Sequence, residues 1–119
     1  MEKVNALEKF KLIKNYYDPK IAGEINDSYV KLAKLKGGFP RHSHRDEDEM
    51  FYVIEGELKL VFDDKEITLR PGEFIIVPRG VWHSPDAEDE ALVMFIEPKT
   101  TLNTGTEINE RTVAEPERV

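Results

Sequence analysis

Hydrophobic residues in this chain come in short runs, broken every few positions by turn-forming or charged clusters. Met50 to Ile54 and Leu58 to Phe62 flank Glu55-Gly56-Glu57 and read as two strands. Asp63-Asp64-Lys65 turns the chain into a strand from Glu66 to Leu69, and Pro71-Gly72 turns it again. Phe74 to Val77 is an apolar run bounded by Pro71 and Pro78, and Ala91 to Ile96 is a last strand stopped by Pro98. Upstream, Ile21 to Ile25 and Tyr29 to Leu35 flank Asn26-Asp27, a hairpin signal. Many short strands at regular spacing indicate an all-β sandwich or barrel. No internal repeat is visible.

The two ends follow other patterns. Val4, Leu7 and Phe10 fit one face of a short helix, while Phe10 and Leu12 alternate as in a strand. The expectation is a short N-terminal helix followed by an edge strand. Residues from Thr106 to Val119 are polar, with Pro116 near the end. They are expected to form an arm over the barrel or a partner, or else to fray. The chain thus divides into an N-terminal segment (1–20), a barrel (21–98) and a C-terminal arm (99–119).

Composition narrows the function classes. A length of 119 residues suits one domain, which can bury roughly two-thirds of its unfolded surface. No apolar run approaches the ~20 residues that span a bilayer. Met1-Glu2-Lys3-Val4-Asn5 lacks the apolar stretch of a signal peptide. The absence of cysteine removes disulfides and thiolate chemistry and fits a reducing, cytoplasmic setting. A formal charge of -7 argues against nucleic acid and against an anionic membrane surface as partners.

All three histidines fall in one pattern. In an extended segment His42 and His44 project to the same side while Ser43 points away. Glu49 follows Arg45-Asp46-Glu47-Asp48, an acidic stretch suited to a turn that re-aims the carboxylate. His83 arrives from a distant segment after the turn Pro78-Arg79-Gly80. Three imidazoles and a carboxylate suit one divalent transition metal: Fe, Mn, Ni, Zn or Cu. Four such ligands fill a tetrahedral zinc site, whereas an octahedral ion keeps two positions open.

These segments resemble the two motifs of the cupin superfamily. The form G-x5-H-x-H-x(3,4)-E-x6-G is matched by His42, His44, Glu49 and Gly56, and G-x5-P-x-G-x2-H-x3-N by Gly72, Pro78, Gly80 and His83. Lys36 stands where the first motif opens on glycine, and Ala87 where the second closes on asparagine. More narrowly, the chain resembles small single-domain cupins loosely labelled as mannose-6-phosphate isomerase relatives. Pro19–Glu24, Glu47–Phe51, Pro71–Gly80 and Thr101–Gly105 carry that likeness. The resemblance implies a double-stranded β-helix (jelly-roll) barrel with a metal on His42, His44, Glu49 and His83. It also implies a homodimer, with the N-terminal segment packed on a second subunit.

Strand parity suggests cavity residues. If Glu49 points inward, Phe51 and Val53 share its face, and Met50, Tyr52 and Ile54 take the other. Phe51, Trp82 and Met94 are candidates for lining a cavity above the metal, with plain core packing the alternative for each. Arg41 and Arg79 are candidates for holding an anionic substrate at its mouth, although Asp46, Glu47 and Asp48 oppose a strongly anionic one. Glu55, Tyr52 and Arg79 are the nearest candidates for proton transfer, and none is assigned a catalytic role. Three readings stay open: a stable barrel kept for assembly, with the metal stabilising it, and two that involve a small molecule. One is a metal-dependent enzyme acting on a small molecule, by oxygen-dependent cleavage or by isomerisation of a hydroxy-carbonyl compound. The other is a metal-holding, ligand-binding module without turnover.

Overall fold

A computed structural model describes the whole chain, Met1 to Val119. Helix α1 (Ala6–Phe10) precedes seven strands: β1 (Lys20–Ile25), β2 (Ser28–Gly38), β3 (Glu49–Glu55), β4 (Leu58–Val61), β5 (Glu66–Leu69), β6 (Phe74–Val77) and β7 (Ser84–Pro98). The two long strands, β2 and β7, pair antiparallel from Ser28↔Pro98 to Gly38↔Asp86. A register shift between Leu35 and Gly37 interrupts that ladder, and such bulges bend a strand. The other edge of β7 is shared. Its second half pairs with β3 through Leu92 to Ile96, and its first half pairs with β4 through Ser84 to Asp86. One layer therefore runs β1-β2-β7-β3-β6, and β4 with β5 builds onto the far end of β7. Layers that share their long strands make an all-β jelly-roll barrel.

Alternation sorts side chains between inside and outside. Glu49, Phe51 and Val53 are buried along β3, Leu58 and Leu60 along β4, and Ala91, Val93, Phe95 and Glu97 along β7. Twelve buried apolar residues form the main core between the layers. A smaller cluster of Phe10, Ile13, Leu32 and Leu92 lies on the outer face of β2 and β7, beneath α1. Strand β7 begins at Ser84 rather than at Ala91. Its stretch Glu88-Asp89-Glu90 is exposed, so no apolar period betrays it.

The edge strand expected after α1 does not form. Phe10 and Ile13 continue the helical spacing into the small cluster, which leaves Leu12 61% exposed. Only one bridge, Tyr16 to Lys34, joins this stretch to β2. Asn5 caps the helix by accepting from the Glu8 N–H at 3.1 Å. Within the chain, Phe10 and Ile13 of the N-terminal segment pack against Leu32 and Leu92. Ile21 N–H donates to the Glu117 carbonyl and Val119 N–H to the Ile21 carbonyl, both at 2.9 Å.

Candidate metal centre

His42, His44 and Glu49 come from the segment that links β2 to β3 and from the first residue of β3, and His83 directly precedes β7. The backbones of His42 and His83 exchange two hydrogen bonds, at 3.0 and 2.9 Å. This bridge brings the two motifs together, and it places the two rings with centroids 4.4 Å apart. One potential ligand atom from each of His42, His44, Glu49 and His83 lies within 4.8 Å of the others, and all four residues are buried. Glu49 Oε1 is 3.3 Å from His44 Nε2 and 3.4 Å from His83 Nε2.

The donor set fits a metal on chemical grounds. His42 Nδ1 lies 2.8 Å from the Pro40 carbonyl and His83 Nδ1 lies 2.9 Å from the Val81 carbonyl. A carbonyl only accepts, so these contacts put the proton on Nδ1 and leave each Nε2 lone pair facing the cluster. Backbone acceptors of this kind also orient metal-binding imidazoles. Meanwhile His83 Nε2, Glu49 Oε1 and both His44 nitrogens have no hydrogen-bond partner although buried. Buried polar groups are nearly always satisfied. Three residues thus bring an orphaned ligating atom to one place, one nitrogen of His44, Oε1 of Glu49 and Nε2 of His83, which a divalent transition metal would complete.

Electrostatics around the cluster give a pH signature. Burial, aided by the charge of His83, pulls His42 down from 6.5 to about 4. Burial pushes the Glu49 carboxyl up, but the imidazoles of His44 and His83 close beside it outweigh burial and hold the carboxyl well below the usual range. Between about 4 and 6.5 the unfolded chain binds the His42 proton and the folded chain does not. Stability is therefore lost as pH falls through that window. Glu49 adds to the loss at the acid end. We expect His42 alone to account for about 3 kcal/mol, read from urea unfolding of chelator-treated protein at a series of pH values. A flat profile across the window would contradict this electrostatic picture.

Beside the cluster lies a pocket with about 470 Å³ of unfilled space, its open mouth included, of which only about 50 Å³ admits the centre of a water molecule. Such room holds a few waters or one compact molecule. His42 and Glu49 reach it, together with Ala33, Phe39, Phe51 and Phe95. Phe51 packs edge-on against His83 and against Phe95, at centroid distances of 5.8 and 4.9 Å.

The other sequence candidates lie elsewhere. Trp82 neighbours the inward-facing His83, so it points outward; it is 41% exposed and lies under the Arg41 guanidinium at 4.4 Å. Met94 alternates with Val93 and Phe95, and packs against the small cluster beneath α1. Arg41 is on the outside, bonded to both oxygens of Asp63 at 2.8 and 3.1 Å. Arg79 is also exposed and paired, its Nε 3.5 Å from Asp48. Tyr52 and Glu55 do not line the pocket. The charged residues that do line it, besides the ligands, are Lys31 and Glu97. Sequence reasoning missed both. Continuing the inward parity of Ala33 and Leu35 back to Lys31, and that of Val93 and Phe95 on to Glu97, finds them.

Residues 28–97 match the family model described as a Cupin domain. The chain belongs to the cupin family. Among solved structures, a cupin-2 domain containing protein from Shewanella frigidimarina is 43% identical with a TM-score of 0.79, covering 80% of this chain and 93% of that one. Protein NMB1881 from Neisseria meningitidis is 31% identical with a TM-score of 0.76, covering 82% and 99%. Among curated relatives, the uncharacterised YdbB of Bacillus subtilis is 43% identical over 61 residues, which are 50% of this cupin and 54% of YdbB. Two others are dioxygenases. Quercetin 2,3-dioxygenase of Bacillus subtilis is 42% identical over 66 residues, 52% of this cupin and 20% of the relative. Acireductone dioxygenase of Phaeosphaeria nodorum is 33% identical over 119 residues, 90% of this cupin and 66% of the relative. This cupin therefore spans about half of YdbB, a fifth of the quercetin enzyme and about two-thirds of the acireductone enzyme.

Proposed function

We propose that this cupin is a mononuclear metal enzyme that cleaves a small, oxygen-rich molecule with dioxygen. The observation that carries the reading is the buried cluster of His42, His44, Glu49 and His83, with orphaned ligating atoms on three of them, beside a narrow, largely apolar pocket. Two relatives named as dioxygenases support the reaction class. The narrow interior favours a compact substrate over a polycyclic one such as quercetin.

His42, His44, Glu49 and His83 would hold the ion. An ion of octahedral preference, such as Fe(II), Mn(II) or Ni(II), supplies Lewis acidity and two positions beyond these ligands. The chain's own contribution is preparatory. The Pro40 and Val81 carbonyls hold two imidazoles in the ligating tautomer. Phe39, Phe51 and Phe95 exclude water from the reacting end, which strengthens electrostatic interactions there. An isomerase of phosphosugars finds less support. Phosphate recognition favours free arginines, and Arg41 and Arg79 lie outside the pocket, each paired with an aspartate.

The test is oxygen uptake after anaerobic Fe(II) reconstitution, against a panel of small enediols, catechols, hydroxy acids and thiols. We expect at least one compound to drive uptake above the metal-free control. Metal-dependent binding of panel members with no uptake would instead make this cupin a non-catalytic ligand-binding module.

A further inference from the structure

Lys31 lies on β2 directly opposite Phe95 of β7, and Glu97 follows two residues on, at the diagonal position. Both side chains face the pocket, with only 4% and 5% of their surface exposed. A lysine and a glutamate are rarely buried so deeply without close pairing. Here the pairing is loose. Lys31 Nζ is 3.9 Å from Glu97 Oε1, beyond hydrogen-bond range. Its one hydrogen bond is a long 3.4 Å contact to the Thr101 carbonyl. An ammonium has three donors, so at least one is unspent. Glu97 Oε2 and the Thr101 hydroxyl are buried without any partner. A purely structural ion pair closes its bonds, because an unmade buried bond is costly. Lys31 and Glu97 leave theirs open in the cavity that His42 and Glu49 also line.

Net charge narrows the ligand further. With a divalent ion bound, Lys31 and the ion together outweigh Glu49 and Glu97 even if both carboxylates are ionised. The pocket thus favours a single negative charge, although the protein as a whole carries -7. Lys31 offers donors and charge to a carboxylate, and Glu97 Oε2 a partner for an adjacent hydroxyl. The interior admits only a few heavy atoms.

We propose that Lys31 and Glu97 form the substrate-recognition end of the metal pocket and select a small hydroxy acid, its carboxylate on Lys31 and its hydroxyl on Glu97. This rests on the reading of the pocket as a substrate site, and assigns it a substrate class.

The experiment uses the full chain, with and without Zn(II), a redox-inert ion that prevents turnover. Glycolate is titrated by calorimetry beside glycolamide, which keeps the hydroxyl and lacks the charge, and beside propionate, which keeps the charge and lacks the hydroxyl. Metal content is measured separately. We expect glycolate to bind more tightly than either control. Lys31→Met should weaken it by about tenfold or more with the metal content unchanged. The double variant Lys31→Met/Glu97→Gln leaves no lone buried charge, so it carries the test if the single variant does not fold. Absence of glycolate binding to wild type, equal binding of glycolamide, or equal glycolate binding by the variants would each overturn the proposal. Failure of the metal reading is told apart by its own measurement. Lys31-dependent glycolate binding without any metal uptake upholds the recognition site and removes the metal enzyme.

Discussion

His83→Ala releases the metal and leaves the barrel folded. The ring of His83 is fully buried and packs against Phe51, only one of the twelve apolar residues that join the two layers. Its backbone bridge to His42 does not depend on the side chain. Its Nε2 is already without a partner, so truncation removes an orphan rather than creating one. What is lost is one hydrogen bond, to the Val81 carbonyl, and the volume of the ring. A cavity of that kind costs about 2–4 kcal/mol, which a domain with the usual 5–15 kcal/mol survives. Metal affinity should fall on the order of a hundredfold or more, since disturbing only the outer partners of a ligand already costs that much. Metal analysis and circular dichroism on the same sample check both halves. A variant that fails to fold at room temperature would make the metal a structural ion instead.

Gly105→Ala breaks the contact that seats the C-terminal arm over the metal segment. Gly105 has φ +69, and a Cβ there would lie 2.1 Å from the Ser43 carbonyl oxygen and 3.3 Å from the His42 ring. The obstacle is backbone, so no side chain can swing away. The next residue, Thr106, donates its N–H to that same Ser43 carbonyl at 3.1 Å. The arm must lift, or the His42-Ser43-His44 segment must move. We expect a loss of about 3 kcal/mol or more, from the positive φ and the lost seating together. Urea unfolding measures it, and metal affinity should drop alongside. A variant as stable as wild type, with unchanged metal affinity, would mean that the arm is not seated on this segment.

The metal quartet was legible because ligand chemistry allows few substitutes. His42 and His44 keep the spacing of two that places both rings on one side, and the chain has no other histidine beyond His83 to confuse the reading. Short strands between proline and glycine turns were legible for a similar local reason. Failures came where tertiary packing overrides local pattern. The acidic start of β7 is held by backbone pairing to β2 and β4 and buries little apolar surface. Phe10 and Leu12 alternate like a strand, but Phe10 and Ile13 are the pair that finds a core. Trp82 and Met94 were also candidates for lining the cavity, and parity with His83 and Phe95 turns both outward. Lys31 and Glu97 were passed over because charged residues normally face solvent. Their burial shows only once β2 and β7 are placed side by side.

X-ray absorption at the metal edge, with metal content determined on the same purified protein, tests the central claim most directly. We expect one ion per chain, ligated by three imidazoles and a carboxylate, with His83→Ala reducing both the content and the imidazole signal. A protein that takes up no ion under saturating Fe(II), Mn(II), Ni(II) or Zn(II), or an ion surrounded by oxygen alone, would contradict it.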